Sequence, residues 1–191
     1  MDVYKDFYIN YLMKIRFHYY FDDGSDFIVE FQDWAFYHLL GIQHIDSSIT
    51  KNDFISKINN GLQFSNFKSN KKIRKRFNDQ KERIAMFSCV HSVLKYARVF
   101  YCPNRVVLNT KNVSMDYILY REIDNIGFNL GIREENSCQV PLTILIDRQN
   151  QKEKHIDKSN IKNVSKLVIS EKSSGNIIEQ LVYSNSFIVN I

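Results

Sequence analysis

The spacing of the apolar residues changes at Tyr101-Cys102-Pro103, and that change constrains the fold more than any other feature of the chain. Before it, Ile73, Phe77, Ile84, Phe87, Val90, Leu94 and Ala97 recur at steps of three, four and seven. That is the stripe of an amphipathic helix, and it predicts one long helix over about 70–98. After it, the runs 105–109, 115–121, 126–132, 140–147 and 165–170 have the length and the β-branched and aromatic content of strands. A turn at 173–176 and two more apolar runs follow them. Ahead of the long helix, aromatic stretches over 14–31 flank Asp22-Asp23-Gly24-Ser25, a hairpin turn signal. A short helix is expected from Asp33, as N-cap, to Gly41, as C-cap. A second opens at Thr50 with Asp53 in the capping-box position, buries Phe54, Ile55 and Ile58, and stops at Asn60-Gly61.

Helices first and strands afterwards is an α+β order, not a βαβ one. The expected architecture is an N-terminal β-hairpin and helices packed on a C-terminal antiparallel meander sheet. No internal repeat and no Pro/Gly/Ser-rich linker interrupts the 191 residues. They read as a single domain over 1–191, with its core at about 14–170 and a C-terminal extension at 171–191.

Charge narrows the partners. Residues 68–83 carry eight basic and two acidic side chains, whereas the whole chain has a net charge of only +5. The positive charge is therefore one patch, and such a patch attracts polyanions. Three cysteines, Cys89, Cys102 and Cys138, are odd in number and lack CxxC spacing, which argues against a disulfide framework and against a thiolate zinc site. The N-terminus is interrupted by acids, so it does not read as a signal peptide, and no run is long enough for a membrane span. A cytoplasmic protein without a membrane partner, a metal or a cofactor is expected.

Several side chains have the chemistry to act on a phosphodiester. Metal-free scission of RNA needs a base for the 2′-OH, an acid for the leaving oxygen, and cations or donors for the charge on the phosphorane. His38 is an isolated imidazole on the otherwise apolar helix after the hairpin. The competing reading is a core histidine satisfied by a backbone carbonyl. Arg83 shares a helix face with Phe87 and Val90, so its guanidinium emerges beside the core, either as a phosphate clamp or as an edge arginine whose stem covers apolar surface. Lys68 and Ser69 precede the long helix, where anions are favoured, or form an ordinary cap. Thr143 is a polar residue in an apolar strand, aimed at a phosphate or simply β-branched. Lys71, Lys72, Arg74, Lys75 and Arg76 suit nucleic-acid contacts as well as a solvated helix face. The remaining histidines form no HxH or HExxH arrangement, and there is no P-loop, GxGxxG or GxSxG.

The order of these pieces resembles a known family. An aromatic hairpin leads into Phe36-Tyr37-His38-Leu39-Leu40-Gly41-Ile42. Lys68-Ser69, Arg83-Ile84-x-x-Phe87, Asp116-Tyr117-Ile118-Leu119 and Pro141-Leu142-Thr143 follow. Together they are similar to the phage- and mobile-element-associated nucleases that form the fourth phage group of the barnase–EndoU–colicin E5/D–RelE-like superfamily. The resemblance implies helices on an antiparallel sheet and a metal-independent ribonuclease of toxin or phage-defence type. It places His38, Arg83 and Thr143 in the active site, with Lys68 and Ser69 beside them. RNA would be the substrate, and an antitoxin or immunity protein a partner. The alternative is a non-catalytic nucleic-acid- or nucleoprotein-binding inhibitor on the same scaffold, working through the 71–76 face.

Overall fold

The computed structural model describes residues 1–110, 113–136, 138–148, 151–184 and 187–190, with side chains through residue 183. It opens with a helix the sequence pattern does not announce, α1 (Asp2–Asn10), which buries Tyr8. The hairpin follows as β1 (Ile15–Phe21) and β2 (Asp26–Glu30). Alternate residues Ile15, Phe17, Tyr19 and Phe21 point inward, the period of a half-buried strand. In its turn the Asp23 carboxylate accepts from the Ser25 backbone N–H at 3.0 Å, and Gly24 takes φ +80°.

Three short helices come next: α2 (Ala35–Leu39), α3 (Ile42–Ile45) and α4 (Phe54–Asn59). Two expected caps are displaced. Asp33 accepts from its neighbour Trp34 at 2.7 Å and leaves Trp34 in the N-cap position of α2. Asp53 does accept from the Thr50 N–H at 2.8 Å, but this closes a turn ahead of α4.

The single long helix is instead two. α5 (Lys71–Met86) and α6 (Val90–Tyr96) are joined by a 3-10 turn at Phe87–Cys89. The three-residue step from Phe87 to Val90 suits either winding, so the apolar stripe runs through the break unchanged. Arg98 already belongs to β3 (Arg98–Tyr101). The run 105–109 is not a strand: Asn104 and Arg105 take φ of +53° and +61°, a left-handed turn that ends the extended backbone. The later strands are β4 (Tyr117–Ile123), β5 (Ile126–Glu135), β6 (Cys138–Asp147), β7 (Ile161–Lys162), β8 (Val164–Glu171), β9 (Ile177–Ser184) and β10 (Phe187–Asn190).

All pair in one sheet, in the order β10-β9-β8-β1-β2-β6-β5-β4-β3-β7. The fold is α+β as expected, but the sheet is mixed, not an antiparallel meander. The N-terminal hairpin lies inside it, with β1 antiparallel to β8 and β2 parallel to β6 at Val29↔Gln139. Both open edges of a hairpin carry unpaired backbone groups; β8 pairs along the whole of β1, and β6 meets β2 at Val29. Local alternation contains no record of which distant strand pairs there. The helices cover one face, where Phe36, Leu39, Phe87, Val90 and Leu94 meet Phe17, Val29, Leu130 and Ile144. The opposite face of β3–β5 carries a smaller cluster of Phe100, Cys102, Met115, Ile118, Tyr120 and Ile156.

Candidate active site

One irregularity in the sheet sets up the site. In the β5–β6 ladder Gly131 pairs with Thr143 and Ile132 with Pro141, so Leu142 is left without a partner. A bulge of this kind re-aims the neighbouring side chains. Here Leu142 lines one cleft and Ile144 lines another, and Thr143 is next to both in the chain.

The helical side of the site depends on Gly41. It takes φ +70° between α2 and α3, and its N–H bonds the His38 carbonyl at 3.0 Å, closing α2. An added Cβ at Gly41 would stand 2.7 Å from Gln80 Oε1 and 2.8 Å from Arg83 Nη1. The glycine is therefore what lets α5 bring Arg83 against the α2–α3 turn.

Arg83 is only 8% exposed. Its Nη2 donates to Thr143 Oγ1, its Nη1 to Gln80 Oε1 at 3.3 Å, and its Nε is buried without a partner. Among the described residues no carboxylate lies within ion-pair distance of it. Burial pulls the guanidinium down to about 10. A desolvated cation without a counter-charge is costly to keep in a fold, and an anion from outside removes that cost. The cavity beside it, about 440 Å³, is also lined by His44, Gln80, Arg148 and His155.

His38 faces the second cleft, of about 310 Å³, with Trp34, Lys51, Arg133, Glu135 and Leu142. Its ring packs edge-on to Trp34 with centroids 5.7 Å apart, and Lys51 Nζ lies 5.3 Å from the centre of the Trp34 ring. Among the described residues neither imidazole nitrogen has a protein hydrogen-bond partner, so this is not a core histidine tied to a carbonyl. Burial first, and then the charges of Lys51, Arg83 and Arg133, hold its pKa below the ordinary value. Such an imidazole is neutral near pH 7 and free to accept a proton.

Of the residues singled out in sequence, the fold joins Arg83 directly to Thr143 and sets His38 within reach of the Arg83 charge. It does not bring Lys68 or Ser69 there. Lys68 ends an exposed 3-10 turn, and the Ser69 hydroxyl donates to the Asn66 carbonyl at 2.7 Å. The cap of α5 is Asn70, which accepts from Lys72 N–H at 2.8 Å. From Lys71 to Arg83 the helix rises about 18 Å, too far for one phosphate to bridge. Lys71, Lys72, Arg74, Lys75 and Arg76 are all exposed, and none has an ion-pair partner among the described residues.

Lys51, Arg133 and Glu135 escaped the sequence reading. Lys51 sits in a turn and Arg133 near the end of a strand, and no spacing ties either to His38. Gly41 was legible as a cap, but not as the gap that seats Arg83. A larger cleft of about 510 Å³ lies between Tyr11, Lys14 and Lys172. It holds neither a histidine nor a buried unpaired cation, so size alone does not mark the site. Among the described residues no helix is long and apolar enough to cross a membrane, and no three His, Cys, Asp or Glu residues group as metal ligands.

The model of the family described as phage-Barnase-EndoU-ColicinE5/D-RelE like nuclease 4 matches residues 2–186 of the chain. No curated protein and no solved structure matches it.

Proposed function

The chain belongs to the phage-Barnase-EndoU-ColicinE5/D-RelE like nuclease 4 family, and from that premise we propose that it is a metal-independent ribonuclease of toxin or phage-defence type. The observation that carries this reading is the buried Arg83, held by Thr143 and Gln80 with no carboxylate to neutralise it. It is a preformed seat for an anion, with a proton acceptor close by. The scissile phosphate rests on the guanidinium, oriented by the Thr143 hydroxyl. His38 takes the 2′-OH proton as the O2′–P bond forms, and Arg83 holds the growing charge on the phosphorane. The P–O5′ bond then breaks to leave a 2′,3′-cyclic phosphate and a 5′-hydroxyl. The exposed cations of α5 draw in the rest of the RNA, and Lys68 belongs with them as an affinity contact. A toxin of this kind works alongside a cognate antitoxin or immunity protein.

The test is incubation of the purified protein with total RNA and a labelled oligoribonucleotide in EDTA, beside His38→Ala and Arg83→Ala. Cleavage that survives EDTA, leaves a cyclic phosphate and disappears in both variants is expected. The unpaired cations of α5 favour one other reading, a non-catalytic binder of nucleic acid. Salt-dependent binding by the wild type without any cleavage would select it.

A further inference from the structure

We propose that His44 is the second acid–base group of this site and returns a proton to the leaving 5′ oxygen. The proposal rests on the reading of the site as a ribonuclease and adds to it a residue and a role.

The two clefts supply the geometry. His38 lines the one with Leu142, whereas His44 lines the one with Ile144 and Arg83. Arg83 lines the His44 cavity, and its charge also reaches His38. An anion seated on the Arg83 guanidinium therefore lies in the cavity that His44 lines, and His38 lines the neighbouring cleft. Displacement at phosphorus uses two such groups, because the attacking oxygen loses its proton as it enters and the leaving oxygen gains one as it departs on the opposite side. The Gly41 turn joins α2, which carries His38, to α3, which carries His44, and lies against the Arg83 guanidinium.

His44 is also free to act. Its one hydrogen-bond contact among the described residues is Nε2 to Gln43 Nε2 at 3.3 Å, which leaves Nδ1 open to a ligand. His155, the other imidazole of the cavity, is not free. Its Nε2 lies 3.2 Å from the buried carboxylate of Asp147 and its Nδ1 2.9 Å from the Leu108 carbonyl.

The two imidazoles have different charged neighbours. His38 is faced by Lys51, Arg83, Arg133 and the His44 ring, with Glu135 bonded to Arg133. His44 is faced by Arg83 and Gln80 together with the carboxylates of Asp79 and Glu82, and Glu82 is shared with Arg148 at 3.2 Å. Burial first, and then the Arg83 charge, keep His44 below its ordinary value. An anionic phosphodiester on Arg83 offsets that charge and itself favours the imidazolium. The proton leaves the 2′-OH for His38, O2′–P forms, and P–O5′ breaks with its electron pair on O5′. His44 supplies the proton that O5′ takes up.

A substrate that needs no acid tests this role. An oligoribonucleotide is prepared in all-oxygen form and with a single bridging 5′-sulfur at the mapped cleavage position, since a thiolate departs unprotonated. His44→Ala is expected to slow the all-oxygen strand by about 10²–10³-fold and to cut the sulfur strand within about tenfold of wild type. His38→Ala is expected to slow both. His44→Gln, which retains a polar side chain, serves as the second variant should the alanine variant misfold. Equal losses on both strands, or no loss on the all-oxygen strand, overturn the role of His44. Failure of wild type to cut the all-oxygen strand overturns the ribonuclease reading itself.

Discussion

Replacing Gly41 by alanine separates what the backbone requires from what the site requires. At φ +70° an alanine is strained by about 1–2 kcal/mol. For a chain of this length that is roughly 2–4 °C of melting temperature per kcal/mol. Gly61 is the internal control. It takes φ +94° and has nothing within 4 Å of an added Cβ, so Gly61→Ala carries a positive-φ backbone cost without a side-chain collision. At Gly41 the methyl group would also stand 2.8 Å from Arg83 Nη1. Ordinary carbon contacts begin near 3.5 Å, so the guanidinium must retreat by about 0.7 Å. A displacement of about 1 Å in a positioning group costs on the order of 10²-fold in rate. Gly41→Ala is thus expected to melt within a few degrees of Gly61→Ala yet to cleave RNA roughly ten- to a hundredfold more slowly. Circular-dichroism melts and single-turnover cleavage of a labelled oligonucleotide measure the two quantities. Equal cleavage by the two variants would refute the idea that the Gly41 gap positions Arg83.

Arg83→Met removes a buried cation that has no carboxylate partner, so its melting temperature is expected to equal or exceed that of wild type while cleavage is abolished. A large fall in stability would mean that the guanidinium is structural. Lys72 and Arg76 stand eleven and seven residues before Arg83 on one stripe of α5, whereas Arg74, nine residues before it, lies about two and a half turns away on the opposite side. Binding of single-stranded RNA as a function of salt should lose about 0.7 from its log–log slope for Lys72→Ala and for Arg76→Ala, but little for Arg74→Ala. Equal losses for all three would place the RNA elsewhere. His38, His44 and His91 all have pKa values depressed in the fold, chiefly by burial. The unfolded chain then binds more protons as pH falls through the ordinary histidine range, so stability present above about pH 6.5 is lost below it. Melts at pH 7.5 and 5.5 should show the drop, and His91→Gln should lessen it. A flat profile would contradict the burial of these rings.

What the sequence revealed was whatever local chemistry determines. The 22–25 turn closes through neighbours, with Asp23 accepting from Ser25, and the alternation of β1 is visible in its own residues. Helix α1 was missed because Tyr8 is its one buried side chain, too little for a stripe. β7 spans two residues, too short for any period to register. The parallel β2–β6 pairing links positions more than a hundred residues apart, and alternation within a strand says nothing about its neighbour.

The site divides along the same line. Arg83 was visible as a basic residue at the edge of an apolar stripe, and Thr143 as a hydroxyl in an apolar strand. Their hydrogen bond spans sixty residues, and only the fold creates it. Lys68 and Ser69 were drawn toward the site by their place ahead of the long helix and by the family resemblance, but the length of that helix separates its start from Arg83. That separation divides the work on α5: Lys72 and Arg76 sit in water, where a cation costs little and binds any polyanion, whereas Arg83 sits in the interior. An interior cation with no partner lowers stability. An anion that comes and goes would offset that cost, and we therefore propose the site at Arg83 and not at the most basic stretch of the chain.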